Sequence, residues 1–381
     1  MRKTIINGNI LTPLPIPAGY GILIEGERIK AVAPCSEFPS DLPQIDARGK
    51  WVVPGLIDIH VHGSVDNDTM DESVKALCEM SRFFASRGVT SFLPTTLAAS
   101  NKDVTAAIER IAYFHQTGDG ARILGIHLEG PYLSHAHKGA QPKQHLRVAQ
   151  PEEYLPWLES GVVKLFTVAP EIGGVLELIK TGRDVGVQFA VGHSSASYEQ
   201  MVHAIDEGLT QATHTFNGME PLHHRNPGVL GAVLTDKRVF AQVIADGVHL
   251  HPAVVNLLFI TKKVDKTILI TDAIRATGAE DGIHQLGDQE ILVKNGIART
   301  DSGSLAGSTL TMDRGLKNAC DFTNCSFETI LPSATSIPAK SLGMADLIGS
   351  IKPGHQADLA FFDKELNLCL TMVAGKIVFQ K

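Results

Sequence analysis

The stretch VPGLIDIHVHG, residues 53–63, is an apolar run that ends in two histidines, His60 and His62, one residue apart. Alternate residues of a β-strand face the same side, so both imidazoles can point into one pocket at the end of this strand. Without a ligand between them they would be two polar groups stranded in an apolar interior. The stretch therefore predicts a buried strand that presents a pair of candidate metal ligands.

Seven further apolar runs resemble this one and end in polar residues capable of chemistry. The eight runs cover residues 56–62, 90–96, 123–129, 164–170, 187–193, 211–217, 240–246 and 267–272. Helical patterns separate most of them, at residues 71–87, 102–114, 171–185, 197–207 and 252–261. This alternation indicates an α/β fold built of parallel βαβ units, and eight units in about 300 residues are typical of a TIM-like (β/α)8 barrel. An open doubly wound sheet is the competitor, but no glycine-rich dinucleotide fingerprint follows an early strand.

The two ends of the chain have a different pattern of short strands separated by turns. Such strands are predicted at residues 5–11, 21–25, 28–33, 357–362, 368–373 and 376–379. Neither end is long enough to bury a core of its own. We therefore expect a small β-sandwich domain made of residues 1–53 plus 352–381, and a metal-dependent barrel domain over residues 54–351.

Composition excludes several classes of function. The formal net charge of the 381 residues is −7, which argues against a nucleic-acid partner because such proteins carry a basic patch. The five cysteines are irregularly spaced and suggest free thiols rather than disulfides. Polar residues and glycine interrupt the N-terminus too early for a signal peptide, and no apolar stretch approaches about 18 residues. We expect no membrane partner and a cytoplasmic location.

Three residues that fall in different runs form a candidate metal site. Glu129 ends the third run, His193 ends the fifth, and His214 lies in the sixth. A carboxylate and two imidazoles with an open position are the ligand set of a catalytic zinc site. A simple pairing of Glu129 with an arginine is the alternative. Zinc is favoured, although iron, manganese, cobalt or nickel also suit these ligands.

Asp272 ends the eighth run and is the candidate catalytic residue. A hydrolytic metal site needs a base that takes a proton from water and returns it to the leaving group. Asp272 is the only acidic residue at the end of that run. A helix N-cap is the alternative reading of an aspartate at this place.

Polar loops after the later runs supply candidate substrate-binding residues. Asn217 and Gly218 follow His214, and His249 follows the seventh run. Arg225 is a candidate phosphate clamp, because its planar fork matches an anion; a surface salt bridge is the alternative. The backbone of Ala306 and Gly307, in residues 305–308, can approach a ligand closely, since glycine has no side chain.

At these residues the chain resembles the amidohydrolase superfamily, and within it the N-acetylglucosamine-6-phosphate deacetylases. Residues 54–63 and 349–358 carry the resemblance to the superfamily. The motifs that resemble the deacetylases are HLEGP at 127–131, GHS at 192–194, THTFN at 213–217, ADGVH at 245–249 and LAGS at 305–308.

The resemblance implies a function and a role for each candidate residue. The expected reaction converts N-acetyl-D-glucosamine 6-phosphate into D-glucosamine 6-phosphate and acetate, with Asp272 as acid/base and Arg225 on the phosphate. Members with a histidine pair like His60 and His62 can hold two divalent ions bridged by the equivalent of Glu129; others hold one. Gln141 stands where some members have a substrate-binding histidine. The family is typically homodimeric, and its phosphate pocket can borrow residues from the neighbouring subunit.

Four other functions stay open. Deacetylation of the galactosamine isomer differs by one epimeric hydroxyl. Dihydroorotase-like or hydantoinase-like enzymes bridge two metals with a carbamylated lysine at the end of the fourth strand, whereas Lys164 opens that run here. A non-catalytic sugar-phosphate-binding protein and a structural metalloprotein are further alternatives, both disfavoured by Asp272 beside intact metal ligands.

Overall fold

Eight parallel strands form the centre of the computed structural model, which describes residues 2–114 and 119–381. Each strand pairs with the next along the chain, and a bridge between Val61 and Ala273 joins the first to the end of the eighth. The predicted barrel is therefore confirmed. The strands are Leu56–Val61, Val89–Thr96, Ile126–Glu129, Val163–Val168, Gln188–Val191, Leu209–Ala212, Phe240–Ile244 and Thr267–Ile270.

The boundaries of two predicted strands shift. The third strand begins only at Ile126, because Leu124 and Gly125 separate it from the short strand Arg122–Ile123. The sixth strand ends at Ala212, so His214 lies in the turn after it rather than in the strand. In both cases the apolar run is longer than the part of it that pairs with neighbouring strands.

Helices surround the barrel and connect its strands. The five predicted helices are found within a few residues of their expected bounds, and further helices were not predicted. Pro151–Glu159 contains Pro156 in its interior, and Gly228–Thr235 is apolar on every side, so neither shows a clear helical period. The helices are Val74–Ala85, Asn101–Tyr113, Pro151–Glu159, Val175–Asp184, Tyr198–Glu207, Gly228–Thr235, Pro252–Lys262, Met312–Thr323, Phe327–Ile330 and Ser336–Ser341, with 3-10 turns at Cys35–Glu37, Lys143–His145, Val264–Lys266 and Leu331–Ala334.

Successive residues of the barrel strands belong to different environments. Leu128 and Phe166 join the large apolar cluster that includes helix residues such as Leu178. Their chain neighbours His127 and Thr167 are equally buried but bond to each other, with 2.7 Å between His127 Nε2 and Thr167 Oγ1. The alternation of strand side chains thus places a polar layer on one side and the core on the other.

Strands from both chain ends form two sheets beside the barrel, as predicted. One apolar cluster contains Ile5 and Ile22 from the first sheet and Val52 and Phe361 from the second. The division at residues 53/54 and 351/352 remains a prediction. The first sheet contains Arg2–Ile6, Tyr20–Glu25, Arg28–Pro34 and Gln44–Asp46, and the second contains Asn9–Thr12, Leu14–Pro15, Trp51–Pro54, Leu359–Phe362, Leu368–Val373 and Lys376–Gln380.

An antiparallel sheet that was not predicted follows the eighth barrel strand. Its strands are Gly282–Leu286, Gln289–Lys294 and Ile297–Thr300. Leu286 and Ile291 pack against Leu97 and Ile274, which lie just beyond the second and eighth barrel strands. The sheet therefore borders the carboxyl end of the barrel. Across the part of the chain that the structure describes, no helix combines the length and apolar character needed to traverse a bilayer.

Candidate active site

A cavity of about 330 Å³ opens at the carboxyl ends of the barrel strands. This is where barrels of this kind place their reactive groups. Most of the predicted site residues line it, together with the apolar side chains of Leu97, Ile274 and Leu286. The predicted residues that line the cavity are His62, Glu129, Gln141, His193, His214, Asn217, Gly218, His249, Asp272 and Gly307.

Glu129 lies at the centre of the polar groups, and histidines approach both of its oxygens. Oε1 is 3.0 Å from His214 Nε2 and 3.3 Å from His193 Nε2. Oε2 is 3.3 Å from His62 Nε2, and His60 Nε2 is 3.8 Å from Oε1. The five side chains make two possible ligand groups that share Glu129: one with His60 and His62, the other with His193 and His214.

Asp272 faces the same group from the end of the eighth strand. Its Oδ1 is 3.2 Å from His62 Nε2 and 3.4 Å from His60 Nε2. Its φ of 53° is in the left-handed region, as are those of His193 and His214, at 48° and 27°. This region is uncommon for residues other than glycine, although aspartate and histidine adopt it more often than most, and such conformations concentrate at functional sites. Here it turns three side chains inward where their strands end.

Carbonyl groups fix the orientation of three of the four imidazoles. His62 Nδ1 lies 3.2 Å from Thr95 O, His193 Nδ1 lies 2.8 Å from His137 O, and His214 Nδ1 lies 3.1 Å from Asn217 O. An Nδ1–H that donates to a carbonyl leaves Nε2 as a free ligand atom. Metal-bound histidines usually make such a hydrogen bond through their other ring nitrogen. Within the described residues, the buried Nδ1 of His60 has no such partner.

The two buried carboxylates of this cluster, Glu129 and Asp272, are stable in the ionised form only with positive charge beside them. Burial raises the pKa of Glu129, but the nearby His60 and hydrogen bonds from His193 and His214 outweigh it and hold the pKa well below the usual value. Burial lowers the pKa of His62, yet hydrogen bonds to Asp272 and Glu129 raise it to about 10. Two buried carboxylates therefore need protonated imidazoles or a cation beside them. This donor set fits a divalent metal ion held by Glu129, His193 and His214.

The pKa values of Asp272, His193 and His214 shift in different directions because each side chain has different neighbours. For Asp272, the charge of His60 and the hydrogen bond from His62 overcome burial and lower the pKa. Burial lowers the pKa of His214, whereas for His193 the hydrogen bond to Glu129 overcomes burial and raises the pKa.

His127 lies one layer deeper in the barrel than the candidate metal ligands and is fully buried. Burial lowers its pKa well below the usual value, so the ring is neutral. Its Nδ1 is 3.2 Å from Thr95 Oγ1, and its Nε2 is 2.7 Å from Thr167 Oγ1. Thr95 also accepts the Val61 N–H through its hydroxyl, at 3.0 Å. These contacts connect the first four barrel strands beneath the candidate ligands.

Gln141 is 3% exposed, and both ends of its amide are occupied. Nε2 donates to Glu129 Oε2 at 2.6 Å, and Oε1 accepts the Ala98 N–H at 2.8 Å. The expectation was a contact with substrate. The structure places this side chain on the cavity wall and attaches it to Glu129.

Two glycines let the backbone approach the site closely. A Cβ on Gly218 would be 2.8 Å from His193 Nδ1, and a Cβ on Gly307 would be 2.4 Å from Ile274 Cγ2. Their φ angles of 62° and 58° are left-handed as well. Any side chain at either position would displace residues at the cavity wall.

Asn217 and His249 are oriented by neighbouring groups. Asn217 Nδ2 donates to His214 O at 3.2 Å. His249 Nδ1 is 2.7 Å from Asp246 Oδ2, and the other oxygen of Asp246 accepts the backbone N–H groups of Val248 and His249. Asp246 therefore holds the loop and leaves His249 Nε2 free to face the cavity.

Two predicted substrate contacts do not line this cavity. Arg225 is exposed, and its Nη1 is 2.8 Å from His224 Nε2. It lines a separate cavity of about 620 Å³ with Ser195 and Tyr198. Ala306 is fully buried, and its N–H donates to Ala298 O at 3.2 Å, so this amide is engaged within the small antiparallel sheet.

Asp58 and Thr271, which join the first and eighth strands, were not among the predicted site residues. Asp58 Oδ2 accepts the Thr271 hydroxyl at 2.6 Å, and Oδ1 accepts the N–H groups of Thr271 and His60, both at 3.3 Å. Burial raises the pKa of Asp58 to about 7. The available signal was its spacing, because Asp58 precedes His60 by two residues and shares its face of the strand.

Comparison with known proteins agrees with this geometry. The Amidohydrolase family matches residues 51–378. The chain is 42% identical over 331 residues to an N-acetylglucosamine-6-phosphate deacetylase from Vibrio furnissii, covering 86% of this chain and 83% of that protein. It is 36% identical to an N-acetylgalactosamine-6-phosphate deacetylase from Escherichia coli O157:H7, covering 91% and 92%. The crystal structure of N-acetylglucosamine-6-phosphate deacetylase from Pasteurella multocida superposes with a TM-score of 0.94 and 29% identity over the full length of both chains.

Proposed function

Since this chain belongs to the amidohydrolase family, we propose that it hydrolyses N-acetyl-D-glucosamine 6-phosphate to D-glucosamine 6-phosphate and acetate. The observation that carries the proposal is the placement of Asp272 within 3.4 Å of His60 and His62, beside the group formed by Glu129, His193 and His214. Metal-assisted amide hydrolysis uses a general base beside the metal ligands, and Asp272 has this position.

Asp272 acts as both base and acid in this proposal. The Asp272 carboxylate takes a proton from the attacking water while the oxygen of that water bonds to the acetyl carbon. When the carbon–nitrogen bond breaks, the same group returns the proton to the sugar nitrogen, and acetate leaves. A divalent ion bound by Glu129, His193 and His214 would lower the pKa of water and polarise the acetyl carbonyl.

The number and identity of the metal ions belong to the proposal. The favoured ion is zinc, and iron, manganese, cobalt or nickel are compatible, because imidazole and carboxylate suit all of them. His60 and His62 can hold a second ion, with Glu129 between the two positions, because both carboxylate oxygens face histidine nitrogens.

Asn217, Gly218, His249 and the backbone at Gly307 are proposed to hold the sugar phosphate. All four line the cavity. The hydrogen bond between His249 Nδ1 and Asp246 Oδ2 fixes the orientation of the imidazole at the cavity wall. Binding energy at these remote contacts orients the acetamide for attack.

Arg225 is proposed to bind the phosphate of a substrate that is held in the neighbouring subunit of a homodimer. The side chain is exposed and outside the cavity of its own subunit, and Leu222 in the same loop is 52% exposed. An exposed arginine in this position can contact the phosphate of a substrate bound in another subunit.

A cytoplasmic location is also proposed, since all five cysteines are free.

The galactosamine isomer is the second candidate substrate. Its support is a relative named N-acetylgalactosamine-6-phosphate deacetylase, which is 36% identical to this chain.

A dihydroorotase-like or hydantoinase-like reaction is disfavoured. The fourth strand ends at Val168 without a lysine, and Lys164 near its start donates to Gly161 O at 2.9 Å. A carbamylated lysine bridge is therefore not available, and Glu129 is the bridging candidate.

The decisive experiment is acetate release by the purified, metal-loaded protein. N-acetylglucosamine 6-phosphate, N-acetylgalactosamine 6-phosphate and unphosphorylated N-acetylglucosamine are compared side by side, with bound metal quantified in the same sample. Fast release from the glucosamine phosphate alone supports the proposal. Release from the galactosamine isomer instead selects the second candidate, and no release from any substrate rejects both.

A further inference from the structure

Gln141 contacts a specific oxygen of the shared carboxylate. Its Nε2 donates to Glu129 Oε2 at 2.6 Å, whereas the imidazoles of His193 and His214 approach Oε1. A hydrogen bond this short to an ionised carboxylate is a strong one. The other end of the amide is held by the Ala98 N–H, so Gln141 is fixed to the end of the second barrel strand.

The terminal torsion of a glutamate side chain is soft, so its carboxylate plane needs external contacts to hold one orientation. At Oε1 two imidazoles provide them. At Oε2 the contacts are Gln141 and His62, the latter at 3.3 Å. Removing the Gln141 amide would take away the shorter of these two contacts and leave the carboxylate plane less firmly held on the Oε2 side.

The His60/His62 position contains the imidazole that faces Oε2, that of His62, whereas His193 and His214 face Oε1. Both imidazoles of the second pair have carbonyl partners on Nδ1. In the first pair, His62 has one, while the buried Nδ1 of His60 is without a partner among the described residues. A ligand without an outer partner is less well oriented for metal.

We infer that Gln141 is a positioning residue that holds Oε2 of Glu129 toward His62, and thereby decides whether a second divalent ion binds at the His60/His62 position. This inference rests on the proposed metal site, but not on the identity of the substrate. It assigns Gln141 to the metal site rather than to the sugar.

The surrounding loop offers a matched control. Gln289 donates through Nε2 to the carbonyl of Ala140, the residue before Gln141. Gln289→Met therefore removes a glutamine contact to the same loop without touching Glu129. Gln141→Met has a similar volume to the native side chain and lacks the donor.

The test is titration of the metal-free protein with Zn²⁺ by calorimetry, with bound zinc counted by elemental analysis. Wild type and Gln289→Met should bind two ions per subunit. In Gln141→Met the affinity for one ion should fall by about 10- to 100-fold, as for other outer-sphere changes, while the other ion binds as in wild type. Circular dichroism of the metal-free proteins checks folding, and Gln141→Ala provides a second variant.

Three results would overturn the inference. The first is two unchanged affinities in Gln141→Met, and the second is equal weakening of both ions. The third is a wild-type protein that takes up only one ion. Failure of the proposed metal site itself is distinguishable, because the wild-type protein would then bind no zinc.

Discussion

At the scale of single residues, Asp272 lies where several constraints meet. Its N–H donates to His60 O at 3.0 Å, and its carbonyl accepts the Ser308 N–H at 2.8 Å. Its carboxylate faces the imidazoles of His60 and His62. The backbone is held in a left-handed conformation by these neighbours, so the position of the carboxylate is fixed before substrate arrives.

Replacing Asp272 by asparagine should abolish most of the turnover. Asparagine keeps the shape of the side chain but cannot accept and return a proton, so kcat should fall by about 100- to 10,000-fold. Acetate release measures this, and equilibrium binding of the substrate together with metal content serves as the control. A variant with full turnover would remove Asp272 from the mechanism, and a wild type that binds but never hydrolyses would indicate a sugar-phosphate-binding protein.

At the scale of secondary-structure elements, the first and eighth strands are joined by a buried polar contact. Asp58 accepts the hydroxyl and N–H of Thr271, and the next residue is Asp272. Thr271 Oγ1 also accepts the Ala273 N–H at 3.2 Å. The contact that closes the barrel therefore also supports the candidate base.

Thr271→Val should destabilise the protein and lower kcat. Loss of the hydroxyl removes the closest donor to a buried carboxylate, which costs about 1–3 kcal/mol, and displaces Asp272. Thr271→Ser retains the hydroxyl and should be close to wild type in both properties. Chemical denaturation and the separate effects on kcat and KM give the answer; an equal loss in the serine variant would show that the methyl group matters instead.

Lys262 connects two helices through a buried ammonium group. It is 5% exposed, and Nζ donates to Val233 O at 2.7 Å and to Asp236 O at 2.6 Å, at the end of helix Gly228–Thr235. Burial lowers its pKa from 10.5 to about 8. Between these values the unfolded chain binds the proton and the folded protein does not.

The contribution of Lys262 to stability should therefore rise with pH from about 8 to 10.5, by at most about 1.4 kcal/mol per pH unit. Lys262→Met removes this titration. The difference in unfolding free energy between wild type and variant is measured in urea at pH 7.5 and 9.5. We expect it to shift in favour of wild type at the higher pH; a difference independent of pH would mean that the folded pKa is not lowered.

At the scale of the whole molecule, the position of Arg225 bears on whether one active site is built from one subunit or from two. The side chain is exposed and lines a separate cavity. If it served its own subunit, the loop that carries it would have to move. If it serves a partner, every complete site needs two chains.

A subunit-mixing experiment separates these possibilities. Arg225→Ala alone should raise KM for the phosphorylated substrate, because a charge-assisted contact to phosphate is lost. In a heterodimer of Arg225→Ala with Asp272→Asn, one site contains an intact Asp272 and an arginine from its partner. Half of the dimers in an equal co-refolded mixture are heterodimers with one complete site, so about a quarter of the wild-type activity should be recovered at low substrate. No recovery above the two parent variants would place Arg225 in its own subunit or in no site.

The barrel, the sheets at both chain ends and the residues of the candidate metal centre could all be predicted from local sequence patterns. These depend on short-range periodicity: apolar runs give the strands, and a residue two places before or after another shares its face, as with His60 and His62. The carboxyl ends of parallel strands meet at one edge, so Glu129, His193 and Asp272 had to be neighbours once the barrel was recognised.

Contacts between distant segments of the chain could not be predicted from its sequence. The bond from Gln141 to Glu129, the pairing of Asp58 with Thr271 across 213 residues and the exposure of Arg225 depend on where distant parts of the chain lie in the folded protein. No local period encodes such distances, because a loop is positioned by its packing against distant elements and not by its own spacing. The same reason accounts for the unpredicted sheet over residues 282–300, which is held by its contacts with Leu97 and Ile274.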